Sequence, residues 1–152
     1  GSFDDPAAGK AMTNSQFSEG ADIVFAAAGL TGLGTIEAAK DAGNGHFAIG
    51  VDQDQDYLAP GFVLTSVLKN EDIAVFDGIK SVVDNTFKSG TFIMNLKNNG
   101  VGLSQMLYTK SIIPASVLHQ IDVLKKAIVD GELVVPSTEK ALQVFQVPSI
   151  QF

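Results

Sequence analysis

Short uninterrupted hydrophobic runs alternate along this chain with segments whose apolar residues recur every three to four positions, a rhythm that predicts alternating strands and helices. Residues 21–28 carry Ile23, Val24 and Phe25 without polar alternation, the pattern of a strand buried on both faces of a parallel sheet. Residues 47–51 repeat it and place Asp52 at the carboxyl end, and residues 63–68 do so again, delivering Lys69. Helices fill the intervals. Asp4-Asp5-Pro6 supplies a cap and a first-turn proline for a helix over residues 6–19, stopped by Gly20, and residues 35–42 read as the next helix, ending at Gly43-Asn44-Gly45. Helix, strand, helix, strand with short links predicts right-handed crossovers and a parallel sheet.

The strongest helical signal covers residues 70–87, with Asn70 as N-cap, Glu71 and Asp72 in the first turn, and Ile73, Phe76, Ile79, Val83 and Phe87 on successive turns. Val75 and Val82 widen its apolar arc, so the helix is expected to pack on more than one side. Residues 91–96 and 100–103 read as short extended pieces around a polar Lys97-Asn98-Asn99 turn. A helix after Pro114 carries Val117, Leu118, Ile121, Leu124 and Ile128 on one stripe and stops at Gly131. Residues 133–135 are a further strand candidate, and the tail 142–152 is apolar but aperiodic.

Composition narrows the function classes. The chain has 152 residues, enough for one core, and a formal net charge of −7, which repels nucleic acid and anionic lipid on average. Cysteine is absent, which removes disulfides, thiolate catalysis and cysteine metal sites. No run approaches the roughly 18 apolar residues of a membrane span.

Gly29, Gly32 and Gly34 stand between the first strand and the following helix, where free backbone N–H groups can face a ligand. Their spacing fits neither phosphate motif: Thr35-Ile36 occupy the positions where a P-loop needs Lys and Ser or Thr, and the order G-x-x-G-x-G reverses the dinucleotide fingerprint. The glycines equally suit a tight turn with close helix packing. Asp52 lies where open parallel sheets bind ligands, and its carboxylate can accept two hydrogen bonds from a ribose diol; capping a loop is the alternative. Asp54 and Asp56 are expected to face solvent, and an EF-hand fails because Tyr57 and Val63 stand at its glycine and glutamate positions. Lys69 reaches the same sheet edge if its strand is a neighbour, or is simply a surface lysine before a helix.

Catalytic patterns are poor. His46 lies in a glycine-rich loop, His119 is expected to be a partly buried helix residue, and Ser66 lacks both a nucleophile elbow and an activating histidine. No metal site and no cofactor is expected, and a non-enzymatic binding function is favoured over a nucleotide-cofactor enzyme domain or a flavodoxin-like signalling domain.

Gly1-Ser2-Phe3-Asp4-Asp5-Pro6, GADIVFAAAGLTGLG, IGVDQDQ, APGFVLTSVLKN and KNNGVGL occur in an order that resembles the C-terminal half of the basic membrane protein family. These are substrate-binding lipoproteins of bacterial ABC transporters, and the group includes a purine nucleoside receptor. The resemblance covers residues 1–136 and implies a Rossmann-like parallel-sheet lobe of a type I periplasmic binding protein fold, incomplete and C-terminal. It implies a nucleoside held between two lobes, with Asp52 on ribose hydroxyls, Lys69 as a polar contact, Gly29 presenting backbone and Phe3 stacking on the base. The expected partners are the N-terminal half of the same receptor and an ABC permease, with the membrane reached only through a lipid anchor on that N-terminal part. In such a fold the helix at residues 70–87 crosses to the other lobe, so this chain by itself is expected to expose apolar surface.

Overall fold

The computed structural model describes residues 2–146 and 148–150, so Gly1 of the opening motif and Val147, Gln151 and Phe152 of the apolar tail lie outside the described residues. The elements are α1 (Pro6–Ser18), β1 (Ile23–Phe25), α2 (Thr31–Ala42), β2 (Phe47–Asp52), β3 (Val63–Lys69), α3 (Glu71–Val83), β4 (Val101–Leu103), α4 (Ala115–Asp130) and α5 (Glu139–Gln143). Short 3-10 turns at Asp56–Leu58 and Leu96–Asn98 interrupt the loops.

The sheet order is β1-β2-β3-β4. The first three strands are parallel, with Val24 beside Ala48 and Val51 beside Val67. β4 departs from the all-parallel expectation: it returns antiparallel to β3, setting Leu68 beside Gly102 and Lys69 beside Val101. The turn at Leu96–Asn98, closed by Asn99 in a left-handed conformation, brings the chain back beside the strand it has just left.

α1 starts as its sequence dictates, with the Asp5 carboxylate accepting from the Ala8 N–H at 3.0 Å and Pro6 in the first turn. α1 and α2 lie unusually close. A Cβ on Gly34 would sit 1.9 Å from the Pro6 carbonyl oxygen, and one on Gly9 would sit 2.1 Å from that of Thr31, so only two glycines permit this approach. Thr13 and Thr35 share a buried hydroxyl hydrogen bond at 2.9 Å across the same seam. α2 therefore begins four residues earlier than its pattern suggests, and Gly32 and Gly34 are helical rather than part of a ligand loop. Behind the seam, Ile36, Ala39, Ala48, Ala59 and Val63 form the core, with Phe17 and Phe62 against it.

Cover is uneven elsewhere. β1 is not buried on both faces: Val24 is buried, while Ile23 and Phe25 are 43% and 49% exposed. α3 has no buried residue, and Val75, Phe76, Ile79, Val82, Val83 and Phe87 all stand well exposed, so nothing among the described residues packs its wide apolar arc. Asn70 begins α3 without a side-chain cap because its amide instead donates to the Asn99 carbonyl at 2.7 Å. Residues 91–95 and 133–135 form no strands; the first leads into the 3-10 turn, and the second leads toward α5 with Val134 and Val135 exposed. α4 stops at Gly131 in the left-handed region, as its sequence predicts.

Candidate functional site

Gly29, Asp52 and Lys69 meet at one end of the sheet, in a hollow of about 720 Å³ whose walls also include Leu30, Leu33, Tyr57, Glu71 and Asp72. Parallel strands carry this out directly: β2 ends on Asp52, β3 ends on Lys69, and the loop after β1 turns through Gly29. Neighbouring parallel strands end side by side, so residues 17 apart in sequence become adjacent in space.

The peptide at Asp52 is held in an uncommon shape. Its φ is 70°, a left-handed value uncommon outside glycine and tolerated best by Asp and Asn. Beneath it, the Gln53 N–H donates to the Val51 carbonyl at 2.9 Å, and the Val51 N–H donates to Gln55 Oε1 at 2.9 Å. Gln55 is fixed in turn by its own N–H on Ser66 Oγ at 3.0 Å. Gly50 leaves room for this stack, since a Cβ there would lie 2.5 Å from Ser66 Oγ. A buried polar ladder rooted in β3 thus aims Asp52.

Asp52 and Lys69 form an ion pair, with Nζ 2.7 Å from Oδ1. This contact, bent but short enough to act as a hydrogen bond on the lysine, holds the Lys69 pKa above its ordinary value; the opposite charges and the more distant Glu71 add to it. Asp52 Oδ1 is shielded from solvent and meets no better-aligned donor among the described residues. Beside its lysine partner, the Asp52 carboxylate lines the open hollow and retains lone pairs that can accept from a ligand hydroxyl.

Gly29 has a φ of +54°, and a Cβ there would stand 2.9 Å from the Phe3 carbonyl oxygen. That oxygen also accepts from the Thr31 N–H at 3.4 Å, and Thr31 Oγ1 accepts from the Asp5 N–H at 3.0 Å and donates to the Ser2 carbonyl at 3.0 Å. The N-terminal segment is therefore laced to the rim through its backbone. The Phe3 ring is 72% exposed and is not part of the hollow's wall; the aromatic side chain that lines it is Tyr57. Tyr57, Glu71 and Asp72 were not singled out as site residues by the sequence, and the only signal available was their proximity to Asp56 and Lys69 along the chain.

Asp56 does not face solvent. It is 2% exposed, and its carboxylate accepts from Ser104 Oγ at 3.3 Å and from the Leu107 N–H at 3.2 Å. Burial raises its pKa, neighbouring Asp54 raises it further, and the two donated hydrogen bonds oppose the rise. The group ties the turn after β2 to the chain leaving β4. His119 is exposed rather than partly buried, and His46 packs edge-on against Phe17 with ring centroids 4.6 Å apart. Among the described residues, no three His, Cys, Asp or Glu side chains gather as a metal site.

A second cavity of about 510 Å³ separates β4 from α4, walled by apolar side chains such as Val67, Leu103, Leu118, Ile121 and Ile128. It shares no residue with the strand-tip hollow.

Residues 1–139 match the family described as "ABC transporter substrate-binding protein PnrA-like". Basic membrane protein A of Borreliella afzelii is 39% identical over 150 residues, covering 95% of this chain and 44% of that protein. Basic membrane protein B of Borrelia garinii subsp. bavariensis is 38% identical over 149 residues, covering 95% and 40%. Among solved structures, an ABC transporter solute-binding protein from Aeropyrum pernix K1 superposes with a TM-score of 0.77 at 28% identity, over 94% of this chain and 48% of that one. A protein from Bacillus halodurans described as a transcriptional activator of the comK gene superposes with a TM-score of 0.78 at 22% identity, covering 89% and 46%, a likeness of fold alone. The chain spans less than half the length of these relatives.

Proposed function

The chain belongs to the PnrA-like family of ABC transporter substrate-binding proteins, and from that premise we propose that it is the C-terminal part of a two-lobe receptor that binds a purine nucleoside for uptake. The observation that carries this reading is the convergence of Asp52, Lys69 and the Gly29 backbone on one hollow at the strand tips. In this reading Asp52 accepts from the ribose hydroxyls, Lys69 is a polar contact beside it, Gly29 lends its peptide group, and Phe3 closes over the base from the rim. An aromatic face suits any purine.

The opposite wall comes from the N-terminal half of the same receptor. The exposed apolar arc of α3 supports this, because a face of that size ordinarily has a partner. Ligand contacts from both lobes favour the closed state, which an ABC permease then recognises. The receptor is extracytoplasmic, tethered by a lipid on its N-terminal part, and is not an enzyme. None of the described helices is long and apolar enough to cross a membrane.

Calorimetry on the full two-lobe protein with guanosine, adenosine, inosine, NAD and ribose tests the reading. Nucleoside binding that falls about a hundredfold in Asp52→Ala is the expected result, since a charged acceptor for two hydroxyls contributes a few kcal/mol. Tight NAD binding with no nucleoside affinity overturns it in favour of a nucleotide-cofactor domain.

A further inference from the structure

The strand-tip hollow has an unbalanced charge. Three carboxylates line it, those of Asp52, Glu71 and Asp72, against the single ammonium of Lys69. That ammonium is already engaged, at 2.7 Å from Asp52, and Glu71 is close enough to act on its pKa as well. Two negative charges therefore remain without a cation in the wall.

Their position matters as much as their number. Glu71 and Asp72 occupy the first turn of α3, and Asn70 leaves that end without a side-chain cap. An uncapped helix N-terminus facing a hollow ordinarily attracts an anion, because its free N–H groups and its dipole both favour negative charge. Here the first turn carries its own two carboxylates, those of Glu71 and Asp72. The feature that would recruit a phosphate is thus neutralised by residues of the same turn.

We propose that Glu71 and Asp72 are specificity-determining residues that keep anionic ligands out of the hollow. The site accepts the uncharged nucleoside and rejects its phosphorylated forms, not by lack of space but by like-charge repulsion at the mouth of α3. The inference rests on the nucleoside reading above and adds to it two residues and a rule of exclusion. Like charges facing one another discriminate against the wrong ligand, and because Glu71 and Asp72 stand exposed to solvent, salt weakens that discrimination.

The test uses the full two-lobe receptor, with guanosine, adenosine and inosine compared with their 5′-monophosphates by calorimetry at low and high salt. Wild type is expected to bind a nucleoside and to disfavour its monophosphate, with the preference shrinking as salt rises. The isosteric double variant Glu71→Gln/Asp72→Asn is expected to narrow the preference by about tenfold, with nucleoside affinity changed far less. A variant that merely loosened the fold would weaken both ligands together. Should the double variant fail to fold, the salt dependence of the wild-type preference carries the test, since steric exclusion would not respond to salt. Nucleoside binding with a preference that neither the variant nor salt alters overturns this inference and leaves the nucleoside reading standing. A wild-type receptor that binds the monophosphate as tightly as the nucleoside has the same effect. Absence of any nucleoside binding overturns both.

Discussion

Residues up to Lys69 and the excursion that begins at Glu71 are built on opposite plans. In the first region the helices interlock through Gly9 and Gly34, hydroxyls pair in the seam, and Ile36, Ala48 and Val63 are almost wholly removed from water. In the second, α3 presents Phe76, Ile79 and Val83 to solvent, and Phe92 and Ile93 beyond it are 69% and 75% exposed. Both are equally apolar in sequence. What separates them is cover: the first region buries the apolar faces at its α1–α2 and β2–β3 core against its own elements, and the second leaves its broadest apolar face open. Hydrophobicity predicts that a face is meant for burial, while only the fold says against what.

Substitutions that treat the two regions alike sharpen this contrast. Ile36→Ala removes a buried core side chain and is expected to lower the unfolding free energy by about 2–5 kcal/mol, whereas Ile79→Ala on the exposed arc should change it by no more than about 0.5 kcal/mol. Equal losses in urea melts would show that α3 is packed in solution and break the comparison. Gly34→Ala drives a methyl into the Pro6 carbonyl and should cost about 1–3 kcal/mol, read as a fall in the denaturation midpoint.

A third test uses pH. Because burial raises the Asp56 pKa above its ordinary 3.8, the folded state holds that proton more tightly than the unfolded chain. Its contribution to stability is therefore unpenalised below 3.8, declines as pH rises through the window up to the raised folded value, and stays at its lowest above it. Asp56→Asn should flatten that descent in melts taken across the same window, while retaining an oxygen for the Leu107 N–H. Smallest of all, Gly78→Ala in α3, where an added Cβ meets nothing within 4 Å, should gain about 0.5–1 kcal/mol from helix propensity alone. A destabilised Gly78→Ala would mean the surrounding face is occupied.

Most of the frame was legible because it depends on local pattern. The runs at Ile23–Phe25, Phe47–Asp52 and Val63–Lys69 became strands, and the stripe from Val117 to Ile128 became α4. The shared edge of Gly29, Asp52 and Lys69 followed from strand polarity, which sequence does convey. What escaped depends on contacts distant along the chain. Gly32 and Gly34 looked like a loop because propensity argues against two glycines in a helix, and the α1 surface that requires Gly34 lies more than twenty residues away. Asp56 looked solvated beside Asp52 and Asp54, since its acceptors' partners, Ser104 and Leu107, come nearly fifty residues later. Leu133–Val135 carried strand-forming side chains but, among the described residues, had no neighbouring strand to pair with. The antiparallel return of β4 was equally invisible, being set by where the chain lands after α3 rather than by its own three residues.

That return has a mechanical consequence. The span from Glu71 to Asn99 leaves the sheet and rejoins it where the Asn70 N–H meets the Gly100 carbonyl at 3.0 Å and the Asn70 amide meets the Asn99 carbonyl at 2.7 Å, and its Leu96–Asn98 turn rests against α4. Both ends of the span are thus pinned beside β3, and the residue next to that junction is Lys69. Whatever covers the exposed face of α3 is therefore joined, through a junction one residue away, to the cation that pairs with Asp52.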